Sequence, residues 1–296
     1  MKKFDKEMLF AFLFGVAVVI GSIMITYNKA EAAEKLTILN SGSKTGGFSM
    51  QSQAYSTDLA NLYDVNLVNP GDRCVALGSL LPKIDGPVLM PWASDYEAVG
   101  RDGGCVKFDI NQAHVLRYDS APLFVCTRGK FISRDSGRVA HTVPADGPLA
   151  RIVEELNTEF GTQHKPVVYD GSGDARLALI NGEVDFALLS KKHVLVVEEA
   201  DKDISCVQSL ASAGENSLPE MTGNPKLAFG WDMTWMAINM TDTQASQLSA
   251  DMQAAHQDCS SAIGTWTKCD SVYTTSWDLD KKEINNRWEP MVESQR

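Results

Sequence analysis

The sequence predicts an α/β protein with largely parallel sheets. Short β-branched or aromatic runs alternate with helix-forming segments through most of the chain. Three polar, glycine-bearing loops, Ser41–Gly47, Pro144–Gly147 and Asp170–Asp174, each stand just ahead of a helix-forming segment. In open α/β sheets ligands bind outside the carboxyl ends of the strands, where loops of this kind gather.

The elements follow in order. A strand over 36–39 leads into Asn40-Ser41-Gly42-Ser43-Lys44-Thr45-Gly46-Gly47, and a helix over 49–63 follows with Ser49 as its N-cap. A strand over 65–68 closes on Asn69-Pro70-Gly71, and a short helix is expected over 76–81. Further strands are expected over 87–91, 113–118, 122–127 and 139–142. The loop 143–148 feeds an amphipathic helix over 149–160; Pro148 suits its first turn, and Asp146 or Gly147 can cap it. The stretch 167–190 reads as strand, Gly171-Ser172-Gly173 loop, helix, Asn181-Gly182 stop and core strand. A strand over 204–210, a turn-rich loop over 212–225 and an apolar, aromatic run over 226–239 come next. A helix over 243–258, capped by Thr241 or Thr243, and a last helix over 279–292 carrying Ile284 and Trp288 complete the order.

A glycine loop that opens a helix presents unpaired N–H groups and a partial positive charge, which together form an anion site. The same spacing also suits an ordinary βαβ turn with no ligand. Bulk properties narrow the partners. A chain of 296 residues allows one large or two medium domains. A net charge of −11 argues against nucleic acid or an anionic membrane surface as partner. It leaves room for a small anionic ligand, because a few backbone amides make a local positive site in an acidic protein.

Residues 1–32 read as a targeting segment. Lys2, Lys3 and Lys6 precede the apolar run from Met8 to Ile25, and Ala30-Glu31-Ala32 has the small-x-small pattern of a cleavage site. The run also reaches the length needed to span a bilayer, so a cleaved signal and a retained anchor both stand; each places the remainder outside the cytoplasm. The 6 cysteines, Cys74, Cys105, Cys126, Cys206, Cys259 and Cys269, all follow this segment, and an even number in an exported chain points to disulfides. Cys259 and Cys269 are the closest in sequence; Cys74–Cys105 and Cys126–Cys206 follow if the remaining pairs are nested within separate halves of the fold, and sequence alone leaves the fifteen possible connectivities open. His114, His141, His164, His193 and His256 are scattered without metal-ligand spacing, and neither a GxSxG elbow nor a P-loop lysine occurs. The chain therefore reads as a protein without a metal, a cofactor or an enzymatic motif.

Several stretches, taken in order, carry a family resemblance. They are Val68-Asn69-Pro70-Gly71; Tyr169-Asp170-Gly171-Ser172-Gly173 through Gly182-Glu183-Val184-Asp185; Leu218-Pro219-Glu220; Trp231 to Asn239; and Arg287-Trp288. From about Leu36 to Val292 the chain resembles the solute-binding receptors of tripartite tricarboxylate transporters, the Bug or TctC family. That resemblance implies a two-lobed type II periplasmic binding protein, each lobe a sheet flanked by helices, with the ligand cleft between lobes. It implies lobe one over 33–125 plus 226–296 and lobe two over 126–225. It further implies a monomer that holds a small organic acid and delivers it to integral membrane transporter subunits. A membrane-anchored sensory domain of the same fold is the alternative.

The ligand-binding residues implied are Ser41, Ser43, Lys44, Thr45, Gly46 and Gly47 from the first loop, with Ser94 after the 87–91 strand. Asp146, Gly147 and Arg151 come from the second loop and its helix, and Asp170, Gly171, Ser172 and Gly173 from the third. Asp174 reads as a complement to its helix dipole. The sequence departs from the family pattern twice. Gly46-Gly47-Phe48-Ser49-Met50 lacks the aspartate of the family's first loop, and Pro148 replaces a hydroxyl donor. Arg151, at the family's histidine position, supplies a charge if it faces the cleft. Trp92, Trp231 and Trp235 read either as cleft walls or as core.

Overall fold

The computed structural model describes residues 33–93, 109–129, 135–142, 148–211, 214–269, 274–277 and 280–286. The elements run β1 (Glu34–Leu39), α1 (Gly47–Leu59), β2 (Tyr63–Val68), β3 (Val88–Ala93), β4 (His114–Arg128) and β5 (Arg138–Thr142). They continue as α2 (Pro148–Phe160), β6 (Lys165–Tyr169), α3 (Ser172–Ile180), β7 (Phe186–Ser190), α4 (Lys191–Ala200) and β8 (Ile204–Ser209). The last are α5 (Leu218–Thr222), β9 (Gly230–Ile238), α6 (Asp242–Gln257), α7 (Ala262–Thr267) and β10 (Thr274–Ser276).

The strands join in the order β2-β1-β3-β9-β4-β7-β5-β6, with β8 and β10 also paired to β4. Parallel pairing is confined to β1 with β2 and β3, and to β5 with β6 and β7. The centre is antiparallel, through β3–β9, β9–β4, β4–β7 and β4–β8. The sheet is therefore mixed rather than largely parallel.

β4 makes this architecture. Its first part, to Pro122, pairs with β9, and from Leu123 it pairs with β7 and β8. The sequence reads two strands here; they are one, and Pro122 marks the change of partner. A proline cannot donate to a ladder, so it fits where one pairing ends and the next begins.

Two cores lie either side of that change. The first gathers Leu36, Ile38, Tyr55, Leu59, Leu89, Trp92, Leu116, Trp235, Leu248 and Ile263. Trp92 and Trp235 are fully buried there, which settles them as core rather than cleft wall. In the second, strand alternation sorts the side chains onto two faces. Leu123, Val125, Val139, Phe186 and Leu188 face α2, with its Ile152, Val153 and Leu156. Cys126, Ala140, Ala187 and Leu189 face α3 and α4, with Ala175, Leu179, Val194 and Val197. A sheet covered by helices on both faces explains why β7 is apolar at nearly every position.

Several boundaries move. α1 starts at Gly47, with Gly46 as N-cap and no side-chain cap. Ser49 instead lies inside the helix, where its Oγ accepts from the Asn69 amide at 2.8 Å. Residues 76–80 lie in a π-helical turn, Val75–Leu80, and Leu81 opens a 3-10 turn, so no α-helix forms there. α4 follows β7 directly and has no counterpart in the sequence reading, because Lys191-Lys192-His193 hides a helix start. The loop 212–225 contains α5. Of the two caps considered for α6, Thr241 is used, in a reciprocal capping box with Gln244.

Cys259–Cys269 and Cys126–Cys206 are bonded, with Cα–Cα separations of 5.3 and 4.1 Å. Cys74 is disulfide-bonded as well, and Cys105 lies outside the described residues. Residues 1–32 and Trp288 also lie outside them.

Candidate functional site

A cavity of about 370 Å³ opens where three loops meet. The first loop contributes Ser41, Gly42, Ser43, Gly46, Gly47 and Phe48. The turn after β2 contributes Gly71, Asp72, Arg73 and Cys74. The other side is Thr142, at the end of β5, with Asp170, Gly171 and Ser172, at the end of β6. β1, β2, β5 and β6 thus deliver their carboxyl ends to one place, as open α/β sheets do.

Two helices begin at this cavity. The N-cap of α1 is Gly46 and that of α3 is Gly171, and neither has a side-chain cap. First-turn N–H groups lack an intrahelical partner, so both termini offer donors and positive dipole ends. The two meet closely. A Cβ added to Gly171 would lie 2.2 Å from Ser43 Oγ, and one added to Gly46 would lie 2.7 Å from the same atom. Ser43 is therefore wedged between the two N-caps. The absence of side chains at Gly46 and Gly171 is what lets the loops touch.

Other hydroxyls near the cavity have assigned roles. Ser41 Oγ donates to the Pro91 carbonyl at 2.6 Å, fixing the first loop to β3. Thr45 is exposed and outside the lining; its hydroxyl donates to Asp174 Oδ2 at 2.8 Å. Lys44 is also outside the lining, and its stem lies over Gly71, whose φ is +78°. Gly173 sits under the Thr45 carbonyl, which an added Cβ would meet at 2.5 Å.

Of the residues read from sequence, Ser41, Ser43, Gly46, Gly47, Asp170, Gly171 and Ser172 line the cavity. Lys44, Thr45, Gly173 and Arg151 do not. Arg151 is half-buried on α2. Ser94, Asp146 and Gly147 lie outside the described residues. The sequence reading missed Asp72, Arg73 and Thr142. A usable signal existed for the first two: Pro70-Gly71 ends a strand parallel to β1, which puts the following residues on the same rim. Asp174, read as a dipole complement, also bridges to the first loop.

A smaller recess of mixed character adjoins the cavity, sharing Gly47, Phe48, Thr142 and Ser172 with it and adding Gln51, Ser190 and His193 beside Leu123, Leu149, Leu188 and Met233. Burial, with the nearby Arg176 and Lys192 charges, depresses the His193 pKa to about 4, so the ring is neutral near pH 7. Arg176 Nη1 stands 3.4 Å from its Nδ1. Among the described residues no group of His, Cys, Asp or Glu is arranged to hold a metal ion. What the site can do is hold an anion with hydroxyl donors, backbone dipoles and the Arg73 cation in a partly closed space.

No protein-family model and no curated protein matches this chain. Solved structures do. The chain is similar to the periplasmic binding protein BugD, at 11% identity over 89% of this chain and 95% of that one, with a TM-score of 0.65. It is similar to Rpa4515 of R. palustris, solved with adipate, at 15% identity over 88% and 94% of the two chains, TM-score 0.62. A third similar structure is MatC of Rhodopseudomonas palustris with bound malate, at 14% identity over 88% and 98%, TM-score 0.56. At these identities the likeness establishes the fold alone, the two-lobed fold of type II periplasmic binding proteins. Proteins of the Bug group, which the sequence resembles, are among the structures that share it.

Proposed function

We propose that this chain is a non-enzymatic, extracytoplasmic receptor that captures a small organic acid between its lobes and hands it to membrane transporter subunits. One observation carries the reading. Two helices from different parts of the chain, neither with a side-chain cap, begin at one cavity of about 370 Å³. That arrangement receives a carboxylate: N–H groups donate, both dipoles favour negative charge, and Ser43, Thr142 and Ser172 supply hydroxyls on the same walls. The similar folds solved with adipate and with malate support the ligand class.

The lobes proposed are 33–125 with 226–296, and 126–225. The two cores and the change of partner on β4 support a division of this kind, with Leu123, Val125 and Leu227 packing on the second side of it. Ligand contact falls to Ser41, Ser43, Gly46 and Gly47 of the first loop and to Asp170, Gly171 and Ser172, with Lys44, Thr45, Gly173, Ser94, Asp146, Gly147 and Arg151 as further candidates. A ligand that touches both loops favours the closed arrangement over an open one.

Thermal-shift and calorimetric titration against a panel of small carboxylates tests the reading. A specific acid should raise apparent stability by about 2.7 kcal/mol at a hundred times its Kd. A panel in which no acid shifts the transition, while an amino acid or sugar does, would remove it.

A further inference from the structure

We propose that the recess beside the main cavity is a second subsite: it takes a hydroxyl or oxo oxygen carried next to the carboxylate of the captured acid, with the His193 Nε2–H as donor. The inference rests on the receptor reading above. The recess has a volume of about 20 Å³, room for one water-sized group. A second carboxylate or a long chain does not fit there. The recess opens from Gly47, Phe48, Thr142 and Ser172, walls that it shares with the main cavity. Gly47 starts α1 and Ser172 starts α3, the two helix termini assigned to the carboxylate. A group that reaches the recess is therefore carried close to that carboxylate.

His193 supplies the chemistry. It lies in the first turn of α4 and is 2% exposed. Arg176 Nη1 stands 3.4 Å from its Nδ1. A guanidinium only donates, so Nδ1 accepts and the proton of the neutral ring sits on Nε2. Nε2 has no hydrogen-bond partner among the described residues, yet it is not sealed inside the protein. With so little of the residue exposed, the space that Nε2 reaches is the recess that His193 lines. Gln51, also on the recess, is committed: its Oε1 accepts from Trp235 Nε1 at 3.2 Å, and its Nε2 donates to Met233 Sδ at 3.6 Å. Ser190 adds a hydroxyl and is the N-cap of α4, with no side-chain cap bond. That helix thus opens at the recess with first-turn N–H groups that lack intrahelical partners. Burial and the neighbouring Arg176 and Lys192 charges keep His193 neutral, so no residue lining the recess carries a charge near pH 7. Uncharged donors in a space this small select one neutral acceptor oxygen, and an acid without it leaves them unpaired.

The test is calorimetric titration of the full mature chain with matched acids at pH 7. Propanoate is compared with its 2-hydroxy and 2-oxo forms, and butanedioate with its own. In at least one set a substituted acid should bind about tenfold or more tightly than its parent. His193→Asn keeps a polar group at the Nδ1 position and removes the one at Nε2. It should lose the preference, through a loss of about tenfold or more on the substituted acid and less than about twofold on the parent. His193→Gln places an amide N–H at the Nε2 position and should keep most of the preference. Should the histidine variants fail to fold, Ser190→Ala decides, because that hydroxyl caps nothing: it should narrow the preference by about twofold or more. A wild type that binds parent and substituted acids alike, or that binds only carboxylates lacking the oxygen, overturns the subsite and leaves the receptor standing. So does a His193→Asn that keeps the preference or weakens both acids equally, a His193→Gln that loses as much as His193→Asn, or, where it decides, a Ser190→Ala that leaves the preference unchanged. A wild type that binds no carboxylate overturns both.

Discussion

Thr45 donates its hydroxyl to Asp174 Oδ2 at 2.8 Å, a bond between residues 129 positions apart. It joins the loop ahead of α1 to the first turn of α3, so it spans the two halves of the cleft. Asp174 serves twice, because a carboxylate in the first turn also complements the dipole of α3. Thr45→Val removes the donor and leaves that complement intact. The bond is exposed and single, so its contribution is modest, about 0.5–1 kcal/mol. The variant should bind its acid about two- to fivefold more weakly. Small-angle scattering should show a larger mean dimension without ligand and an unchanged one when saturated. A ligand-free dimension identical to wild type, with affinity unchanged, would mean that the bond does not hold the lobes.

Gly173 separates helix stability from closure. An added Cβ would meet the Thr45 carbonyl oxygen at 2.5 Å, and a backbone atom cannot rotate away. In the helix itself alanine is better than glycine by about 0.5–1 kcal/mol. Gly173→Ala should therefore hold or raise resistance to denaturant while weakening acid binding by about tenfold or more, the two readouts moving apart. Gly182→Ala is the contrast. Its φ is +74°, with nothing near an added Cβ, so it strains the backbone alone. It should cost about 1–2 kcal/mol of stability and leave affinity unchanged. An acid affinity unchanged in Gly173→Ala would show that the seam at Gly173 is not tight.

The contrast shows what the sequence could and could not reveal. Gly171-Ser172-Gly173 was visible as a helix-opening loop because local backbone chemistry is written in glycines. Its counterpart over Ser41–Gly47 was visible for the same reason. That they touch, with Ser43 between two N-caps, depends on strand order, and no local pattern carries strand order. The antiparallel centre of the sheet was hidden likewise: β3 and most of β4 and β9 are buried, and burial looks the same whichever way the neighbouring strands run. Ser49 misled because a serine ahead of a helix pattern resembles a cap, whereas here it meets Asn69. Arg73 was passed over because a lone arginine after a turn usually points to solvent.

A buried ionic knot fixes the far side of the first core. Arg117 and Asp119 are both fully buried on β4, with Arg117 Nε donating to Asp119 Oδ1 at 2.9 Å. Tyr55 of α1 accepts a further bond from the guanidinium, and Trp277 lies 5.6 Å from it, ring centroid to carbon. Thr275 of β10 donates to Asp119 Oδ1 at 2.7 Å, so the knot holds the C-terminal strand to β4. Removing one partner leaves an uncompensated buried charge, which costs about 3–5 kcal/mol. Asp119→Ala should lose that much in denaturant unfolding. The pair Arg117→Met with Asp119→Leu, which removes both charges, should recover most of it. A double variant as weak as Asp119→Ala would place the cost in packing instead of charge.

Buried histidines set a pH dependence whose sign follows from their shifts. Burial, with the Arg117 charge nearby, depresses the His256 pKa to about 3, and burial with Arg176 and Lys192 depresses that of His193 to about 4. Burial lowers His141 and His164 in the same direction. In the unfolded chain each takes up a proton near pH 6.5, while in the folded chain it stays neutral to lower pH, most of all His256 and His193. Between those values the unfolded state binds more protons, so stability is fully present above about pH 6.5 and is lost as pH falls from there toward about 4. Each such histidine steepens the loss by up to about 1.4 kcal/mol per pH unit. Denaturant unfolding of the ligand-free chain at pH 7, 6 and 5 should show this decline, before most carboxylates begin to titrate. His256→Gln and His193→Gln should each flatten the slope, and the two together more than either. A wild type whose stability holds level or rises over that range, or variants whose slope matches wild type, would show that these rings do accept protons in the folded protein.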